Sequence, residues 1–135
     1  MNILMSGSSG FVGKNLYNWL KETKYIITTL SLRSSNWKEN VTSNHSAIIH
    51  LAGKAHDTSN TSLPNEYFEI NRDLTIELFE VFLDSKIKDF FYFSSVKAVA
   101  DTVGEVLTEQ ALANPLTPYG KSKREAEEYL LSKEL

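Results

Sequence analysis

The sequence contains no cysteine, only three prolines and no long apolar run. Without cysteine the chain has neither a disulfide nor a thiolate ligand, so a zinc–thiolate site is excluded and no metal site is predicted. Every apolar run is shorter than the roughly 18 residues of a membrane span, and the N-terminal run has no basic leader. We therefore expect a soluble, cytoplasmic protein that does not act at a membrane.

Positive charge is also limited. The 14 Lys and Arg residues are outnumbered by 17 Asp and Glu residues, which gives a net charge of −3, and like charges do not form runs. Because binding to a phosphate backbone requires a basic surface, nucleic acid is not expected as a partner. A length of 135 residues fits one domain with a core of ordinary size, so residues 1–135 are expected to form a single domain.

Apolar strand-like runs alternate with helical patterns along the chain. Strands are predicted at 2–6, 25–32, 46–53 and 89–96, and the runs at 25–32 and 46–53 have the composition of buried strands. Helices are predicted from Phe11, where apolar positions 12, 16, 19 and 20 recur, from Glu66 to about Leu83, and from Thr117-Pro118 onward. This alternation indicates an α/β fold with a parallel sheet covered by helices on both faces.

Three glycines stand at three-residue intervals between the first strand and the first helix: Gly7, Gly10 and Gly13. In that setting Gly7 permits a tight turn, Gly10 leaves out a side chain that would keep phosphates away, and Gly13 lets the helix pack on the strand. A helix N-terminus also offers free N–H groups and partial positive charge to an anion. The pattern predicts a turn that binds a dinucleotide pyrophosphate, although glycines also serve plain strand-to-helix corners.

Further motifs follow in a fixed order: "HLAG" at 50–53, "FSS" at 93–95 and "PYGKSK" at 118–123. Together with "GSSGFVG" at 7–13, and with Asn71 in "INRDLT", they make the sequence resemble the extended short-chain dehydrogenase/reductase family, in its NAD-dependent epimerase/dehydratase branch. That branch includes many nucleotide-sugar enzymes. The resemblance covers nearly the whole chain and implies a Rossmann-type, doubly wound parallel sheet in three layers that binds NAD or NADP.

Tyr119 and Lys123 lie one helical turn apart on the same face of the last helix. A tyrosine has a reference pKa of about 10 and is a poor base at neutral pH unless a cation stabilises its phenolate, which a lysine at this spacing can do. Tyr119 could then exchange a proton with a substrate hydroxyl, while a serine bonds the same oxygen and a nicotinamide takes or returns hydride. Ser95 is the preferred serine and Ser94 the alternative. The competing interpretation is a surface helix whose Tyr and Lys are merely solvated.

The resemblance also implies which residues contact the cofactor. Lys123 would hold the nicotinamide ribose, and the end of the "HLAG" strand would lie against the adenine-side ribose and phosphates. The expected cofactor-binding residues are Gly7, Ser9, Gly10, Phe11, Val12, Gly13, Arg33, Leu51, Ala52, Gly53, Ser94, Tyr119 and Lys123.

Other polar residues near these motifs have open interpretations. His50 is expected to be a packed strand residue and not an acid or base. Lys54 and His56, in the loop that follows, either contact a substrate or phosphate or are solvated. Asn71 either stabilises a helix irregularity near the helix of Tyr119 and Lys123, by bonding freed backbone groups, or is an ordinary polar helix residue.

The sequence departs from the family at the end of the second strand. Members that prefer NAD usually carry an acid there, which accepts hydrogen bonds from the adenosine ribose. Here the segment 30–33 reads "LSLR", without an acid and with Arg33 nearby. The phosphate of NADP would be tolerated or attracted, so NADP is favoured over NAD unless Arg33 simply points into solvent.

Two further departures concern length. The connection 33–45 is too short for the helix and strand that relatives usually have there, so about four strands and an incomplete sheet are expected. The chain ends at Leu135, whereas the family continues with further strands and a C-terminal substrate domain, so an N-terminal fragment is expected. Exposed apolar surface would then favour self-association, and the resemblance implies a homodimer.

Two functions are held side by side. The first is an NAD(P)-dependent nucleotide-sugar epimerase, dehydratase or reductase, hence an isomerase or oxidoreductase. The second is a non-catalytic NAD(P)-binding module that serves as a redox sensor or scaffold. A mononucleotide or flavin binder is a third interpretation.

Overall fold

The structure is a computed structural model that describes residues 1–55 and 63–133. Its strands are β1 (Asn2–Ser6), β2 (Ile26–Leu30), β3 (Ala47–His50) and β4 (Asp89–Tyr92). Its α-helices are α1 (Phe11–Leu20), α2 (Pro64–Tyr67), α3 (Leu74–Leu83) and α4 (Pro118–Leu131). A π-helical segment, Phe68–Asp73, joins α2 to α3, and single 3-10 turns occur at Trp37–Asn40 and Val96–Ala98.

The chain divides into two compact units. The sheet unit consists of Met1–Gly53 and Glu77–Phe93, and the helical unit of Lys54–Ile76 and Ser94–Leu135. All four strands belong to the sheet unit, whereas α2, the π-helical segment and α4 belong to the helical unit.

The strands of the sheet unit form one parallel sheet in the order β2-β1-β3-β4. The register places Leu4 beside Ile48 and Ile48 beside Phe90. A four-stranded parallel sheet with intervening helices is the predicted Rossmann-like α/β arrangement, which is therefore confirmed, including the number of strands.

Helices cover both faces of this sheet. On one face Ile3, Met5 and Ile49 pack with Leu20 of α1 in a buried cluster. Side chains alternate along a strand, so Phe90 belongs to the opposite face, where it contacts Phe79 and Phe82 of α3 at ring-centroid distances of 5.0 and 5.2 Å. The sheet unit thus has the three layers that the sequence predicts.

The prediction that β2 is a buried strand is wrong. Only Leu30 of this strand is buried, and Ile26 is 63% exposed. The reason is its position, because β2 pairs with β1 alone and residues 33–45 contain a 3-10 turn but no strand to cover the outer edge. The sheet is incomplete at this edge, as the short connection predicts.

Other differences concern where elements end and which side chains they bury. The strands end at Leu30, His50 and Tyr92, two to four residues before the predicted limits, because the apolar runs continue into loops. On α1, the apolar spacing predicts that Val12 and Trp19 face the core, but they are 48% and 65% exposed.

The second half of the chain contains the two helices that the sequence predicts there. The helix expected at 66–83 runs from Pro64 to Leu83 but is interrupted by the π-helical segment. The helix expected from Thr117-Pro118 begins there: Thr117 is the N-cap, its Oγ1 accepts a hydrogen bond from the Gly120 N–H at 3.1 Å, and Pro118 occupies the first helical position. Among the residues described, no helix is long and apolar enough to span a bilayer.

Candidate active site

In the turn between β1 and α1, backbone segments lie unusually close to one another. Gly7 has φ of +74°, a conformation that L side chains rarely adopt. A Cβ atom on Gly7 would also lie 2.5 Å from the carbonyl carbon of Leu51, and one on Gly13 would lie 2.7 Å from the Cα of Ser8. Gly7 and Gly13 are therefore required by the fold itself.

Gly10 differs from the other two glycines. A Cβ atom there would meet only the Gly7 carbonyl oxygen, at an ordinary 3.5 Å, and its φ of −75° suits any residue. The fold therefore does not require glycine at this position. A missing side chain at an exposed position leaves the turn open to a group from outside, as the sequence predicts for a phosphate.

The N-terminus of α1 carries no side-chain cap. Gly10 is the N-cap residue, the first turn holds no acid, and the first intrahelical bond runs from the Lys14 N–H to the Gly10 carbonyl at 2.9 Å. The N–H groups of Phe11, Val12 and Gly13 come before Lys14 in the helix and therefore have no acceptor within it. This part of the turn can donate hydrogen bonds to an anion.

The segment after β3 lies against the same turn. The Leu51 N–H donates to the Ser6 carbonyl at 3.2 Å, and the Ala52 N–H donates to Ser6 Oγ at 3.4 Å. Ser6 Oγ and His50 Nδ1 are 2.6 Å apart, and His50 is 1% exposed between Ser6 and the ring of Tyr92. His50 is thus a packed strand residue, as expected, and the backbone of Leu51 and Ala52 lies next to Gly7.

Several other residues expected at the cofactor are exposed. Ser9, Arg33, Gly53 and Ser94 are all exposed, and Phe11 is 86% exposed. Arg33 follows the carboxyl end of β2, at the same sheet edge as the turn at Gly7. The structure brings the segments 7–13 and 51–53 together within the sheet unit, whereas Ser94 and Ser95 belong to the helical unit.

Tyr119 and Lys123 occupy the first two turns of α4. Tyr119 is half-buried, whereas Lys123 is only 6% exposed. Burial lowers the pKa of the Lys123 ammonium to about 8, and the carboxylate of Glu127 offsets part of this effect. Lys123 therefore remains mostly protonated at pH 7 and can stabilise a negative charge, which is what the predicted chemistry requires.

Ser95 caps the 3-10 turn at Val96–Ala98. Its Oγ accepts a hydrogen bond from the Lys97 N–H at 3.2 Å, and the residue is half-buried. The hydroxyl hydrogen of a serine that accepts such a bond can still be donated to a substrate oxygen. Ser94, the alternative, is exposed.

Gly120 explains how this turn meets α4, and sequence reasoning missed it. A Cβ atom on Gly120 would overlap the Lys97 carbonyl oxygen and lie 2.9 Å from the Cβ of Pro115. The turn that follows Ser95 therefore packs directly on the residue that follows Tyr119. The sequence does contain a signal, because glycine destabilises a helix and its presence in the first turn of α4 therefore indicates close packing at that position.

Asn71 is fully buried in the π-helical segment. Its Oδ1 accepts a hydrogen bond from the Lys54 N–H at 2.7 Å, and its Nδ2 donates to the Lys54 carbonyl at 3.1 Å and to Ser122 Oγ at 3.3 Å. Ser122 Oγ in turn donates to the carbonyl of Tyr119 at 2.8 Å. The helix irregularity is present, but the backbone groups that the side chain bonds are those of Lys54 and not those of its own helix.

Asp101 anchors the loop that leads to α4 and was also missed. Its carboxylate accepts hydrogen bonds from the Leu116 N–H at 2.5 Å, the Thr117 N–H at 3.2 Å and Thr117 Oγ1 at 2.6 Å, and Lys97 Nζ donates to its carbonyl. Burial raises the pKa of Asp101, but these hydrogen bonds and the nearby Lys97 outweigh burial and hold the pKa below its ordinary value.

Two expectations concern metals and the loop after β3. Within residues 1–55 and 63–133 no group of three or more His, Cys, Asp and Glu side chains is placed to hold a metal ion. Lys54 forms an ion pair with Glu66 at 2.9 Å. His56, the other loop residue suggested as a substrate or phosphate contact, lies outside the described residues.

The sequence is similar to curated epimerases. It is 28% identical to the UDP-glucose 4-epimerase of Vibrio cholerae over 97% of this chain and 46% of that protein. It is 27% identical to UDP-arabinose 4-epimerase 1 of Arabidopsis thaliana over 63% of this chain and 20% of that protein. The chain thus spans less than half the length of these relatives.

Solved structures share the fold. MoeE5 in complex with UDP-glucuronic acid and NAD matches with a TM-score of 0.87 and 24% identity, over 98% of this chain and 49% of that chain. RMD from Pseudomonas aeruginosa complexed with NADPH matches with a TM-score of 0.78 and 25% identity, over 94% of this chain and 46% of that chain. The profile of the NAD dependent epimerase/dehydratase family matches residues 3–133. This chain belongs to the NAD dependent epimerase/dehydratase family.

Proposed function

We propose that the complete protein carrying this chain is an NAD(P)-dependent nucleotide-sugar epimerase or dehydratase. Residues 1–135 would supply the cofactor-binding domain together with the acid/base residues. The observation that carries the proposal is the turn at Gly7–Gly13, where Gly10 has room for a side chain and carries none, at the head of an uncapped helix. The relatives named above support a UDP-sugar substrate, because two of them are UDP-sugar 4-epimerases by name and a third, MoeE5, is in complex with UDP-glucuronic acid.

The residues of the turn fit a dinucleotide pyrophosphate. The N–H groups at the start of α1 would donate to the phosphates, and Gly10 would allow them to approach the backbone. Leu51 and Ala52 lie beside Gly7, and with Gly53, which follows them, they would face the adenine-side ribose and phosphates. When bound, the nicotinamide supplies a centre that accepts hydride from a sugar carbon and can return it.

The helical unit would supply the proton chemistry. Tyr119 would take the proton of the sugar hydroxyl at the carbon that loses hydride, and would return it when the hydroxyl forms again. Lys123, protonated and buried one turn away, would stabilise the phenolate and bond the nicotinamide ribose. Ser95 would donate a hydrogen bond to the reacting oxygen, with Ser94 as the alternative.

Substitution of Tyr119 in the complete protein tests this assignment. Tyr119→Phe removes the acid/base hydroxyl and keeps the ring, so turnover of UDP-sugars should fall by about 10²-fold or more. Binding of NADH and NADPH, followed by their fluorescence, should remain near that of the wild type. Unchanged turnover would remove Tyr119 from the mechanism.

The same measurements separate the proposal from a non-catalytic module. A wild-type protein that binds the cofactor but turns over no UDP- or dTDP-sugar would be a redox sensor or scaffold. Binding of mononucleotides or flavins in preference to NAD(P) would point to the third interpretation. A homodimer in the cytoplasm stays a prediction, which sedimentation analysis and cell fractionation would test.

A further inference from the structure

Tyr67 packs against the proposed acid/base residue. It is the last residue of α2, is only 6% exposed, and lies in the helical unit together with Tyr119. The two rings meet edge to face, with centroids 6.2 Å apart and planes inclined by 75°. This is a preferred geometry for two aromatic side chains, and it limits how each ring can turn.

The other contacts of Tyr67 hold it in place. Lys54 Nζ lies 5.7 Å from the centroid of the Tyr67 ring and 2.9 Å from Glu66 Oε2. The backbone N–H and carbonyl of Lys54 are both bonded by the side chain of Asn71. The Tyr67 ring thus contacts both an anchored cation and the ring of Tyr119, and these contacts restrict its movement.

Asn71 acts on the same helix turn by another route. Through Ser122 it reaches the carbonyl of Tyr119, and so it holds the backbone of that residue. A backbone contact leaves the two side-chain torsions of a tyrosine undetermined, and its hydroxyl, at the far end of the ring, moves furthest when they change. The ring of Tyr67 contacts the ring of Tyr119 directly and so restricts these torsions.

We propose that Tyr67 is a positioning residue that sets the ring orientation of Tyr119, and hence the direction of its hydroxyl. This inference rests on the proposed function, because the orientation matters for turnover only if Tyr119 transfers the proton. It assigns the effect to the ring of Tyr67 and not to its hydroxyl. A displacement of about 1 Å at a reacting group can cost roughly 10²-fold in rate, so losing this support should be visible in kcat.

Two substitutions at Tyr67, made in the complete protein, separate the ring from the hydroxyl. Tyr67→Leu removes the ring and should lower kcat by roughly 10- to 100-fold while KM and NADH binding change by less than about threefold. Tyr67→Phe keeps the ring and should retain kcat within about threefold of the wild type. Phe79→Leu is the matched control, since it truncates an aromatic side chain that is 2% exposed in the sheet unit.

A second readout does not depend on activity. In protein labelled with 3-fluorotyrosine, the ¹⁹F resonance of Tyr119 is identified by its absence from Tyr119→Phe. That resonance should shift and broaden in Tyr67→Leu and keep its position in Phe79→Leu, because only the first change removes the neighbouring ring. If Tyr67→Leu does not fold, Tyr67→Met provides both readouts with a more adaptable side chain.

Each outcome decides the inference. It is overturned if Tyr67→Leu keeps wild-type kcat and an unshifted resonance, if Tyr67→Phe loses as much as Tyr67→Leu, or if Phe79→Leu causes an equal loss. It is supported by a loss in kcat and a shifted resonance for Tyr67→Leu alone. Failure of the proposed function would look different, because either the wild type would turn over no nucleotide sugar or Tyr119→Phe would also retain full turnover.

Discussion

The backbone of Ala52 lies so close to Gly7 that a Cβ atom on Gly7 would be 2.8 Å from the Cα of Ala52. This contact joins two segments that are distant in sequence and that were each expected to touch the cofactor. It occurs at the carboxyl ends of β1 and β3, which are neighbours in the sheet. In open α/β sheets ligands bind at this edge, so the contact defines the floor of the proposed pyrophosphate site.

The three glycines should respond differently to alanine. Gly10→Ala meets no close contact within the fold, so the free energy of unfolding should change by less than about 0.5 kcal/mol while NADH and NADPH binding weakens at least roughly tenfold. Gly13→Ala places its Cβ 2.7 Å from the Cα of Ser8 and should destabilise the protein by about 1–3 kcal/mol. Denaturant unfolding and fluorescence titration measure the two effects. Unimpaired cofactor binding by a folded Gly10→Ala protein would contradict the proposed role of the turn.

Arg33 is predicted to select NADP. It is exposed after the end of β2, where no acid occupies the segment 30–33. Arg33→Ala should weaken NADPH binding by about tenfold or more and leave NADH binding unchanged, because a charge-assisted bond to the 2′-phosphate is lost. Lys24→Ala, an exposed cation that precedes β2, is the control for a general loss of positive charge. Equal effects on both cofactors would show that Arg33 does not read the 2′-phosphate.

Features that depend on neighbouring residues could be predicted from the sequence. The turn at Gly7–Gly13 and the start of α4 at Thr117-Pro118 follow from backbone conformation, capping and the rise of a helix, which act over a few residues. The alternation of strands and helices was sufficient for the parallel sheet. The burial of β2 was not predictable from its composition, because it depends on whether another strand covers its outer edge.

Individual side-chain contacts between distant parts of the chain could not be predicted. Examples are the ring contact between Tyr67 and Tyr119 and the hydrogen bonds between Asp101 and Thr117. In each pair, the sequence around one residue does not indicate the other. The same holds for Asn71 in the π-helical segment, whose side chain is hydrogen-bonded to the backbone of Lys54. Only the fold brings these groups together.

Asn71 should contribute strongly to stability. Asn71→Ala would leave the N–H and carbonyl of Lys54 without the partner they have now, and the free energy of unfolding should fall by roughly 2–4 kcal/mol. Asn65→Ala, at an exposed position of α2, is the control and should change it by less than about 0.5 kcal/mol. Urea unfolding of both variants provides the measurement. A loss below about 1 kcal/mol for Asn71→Ala would mean that water replaces the amide at little cost.

Asp101 should stabilise the start of α4 and the residues that precede it, Leu116 and Thr117. Asp101→Ala removes the acceptor of three hydrogen bonds, and the free energy of unfolding should fall by about 1–2 kcal/mol. Because the pKa of Asp101 is lowered in the folded state, its contribution is present above its ordinary value of 3.8 and is lost as the pH falls through the folded value. The difference between wild type and variant should therefore shrink in acid. Asp84→Ala, an exposed acid in the sheet unit, should show no such difference.

The buried charge of Lys123 should lower the free energy of unfolding at neutral pH. Its pKa is about 8 when folded, below the ordinary value of 10.5, so the unfolded chain binds more protons between these limits and the free energy of unfolding rises with pH there. Lys123→Met removes the buried charge and should be more stable than the wild type at pH 7, by up to about 3 kcal/mol, with the advantage vanishing towards pH 10.5. Lys121→Met, exposed on the same helix, should show no such dependence.

Thermal unfolding between pH 7 and 10 compares the stability of the two variants with that of the wild type. Turnover by Lys123→Met should be lost, because the cation next to Tyr119 is removed. A variant less stable than the wild type at pH 7 would mean that the interactions of the ammonium outweigh its burial.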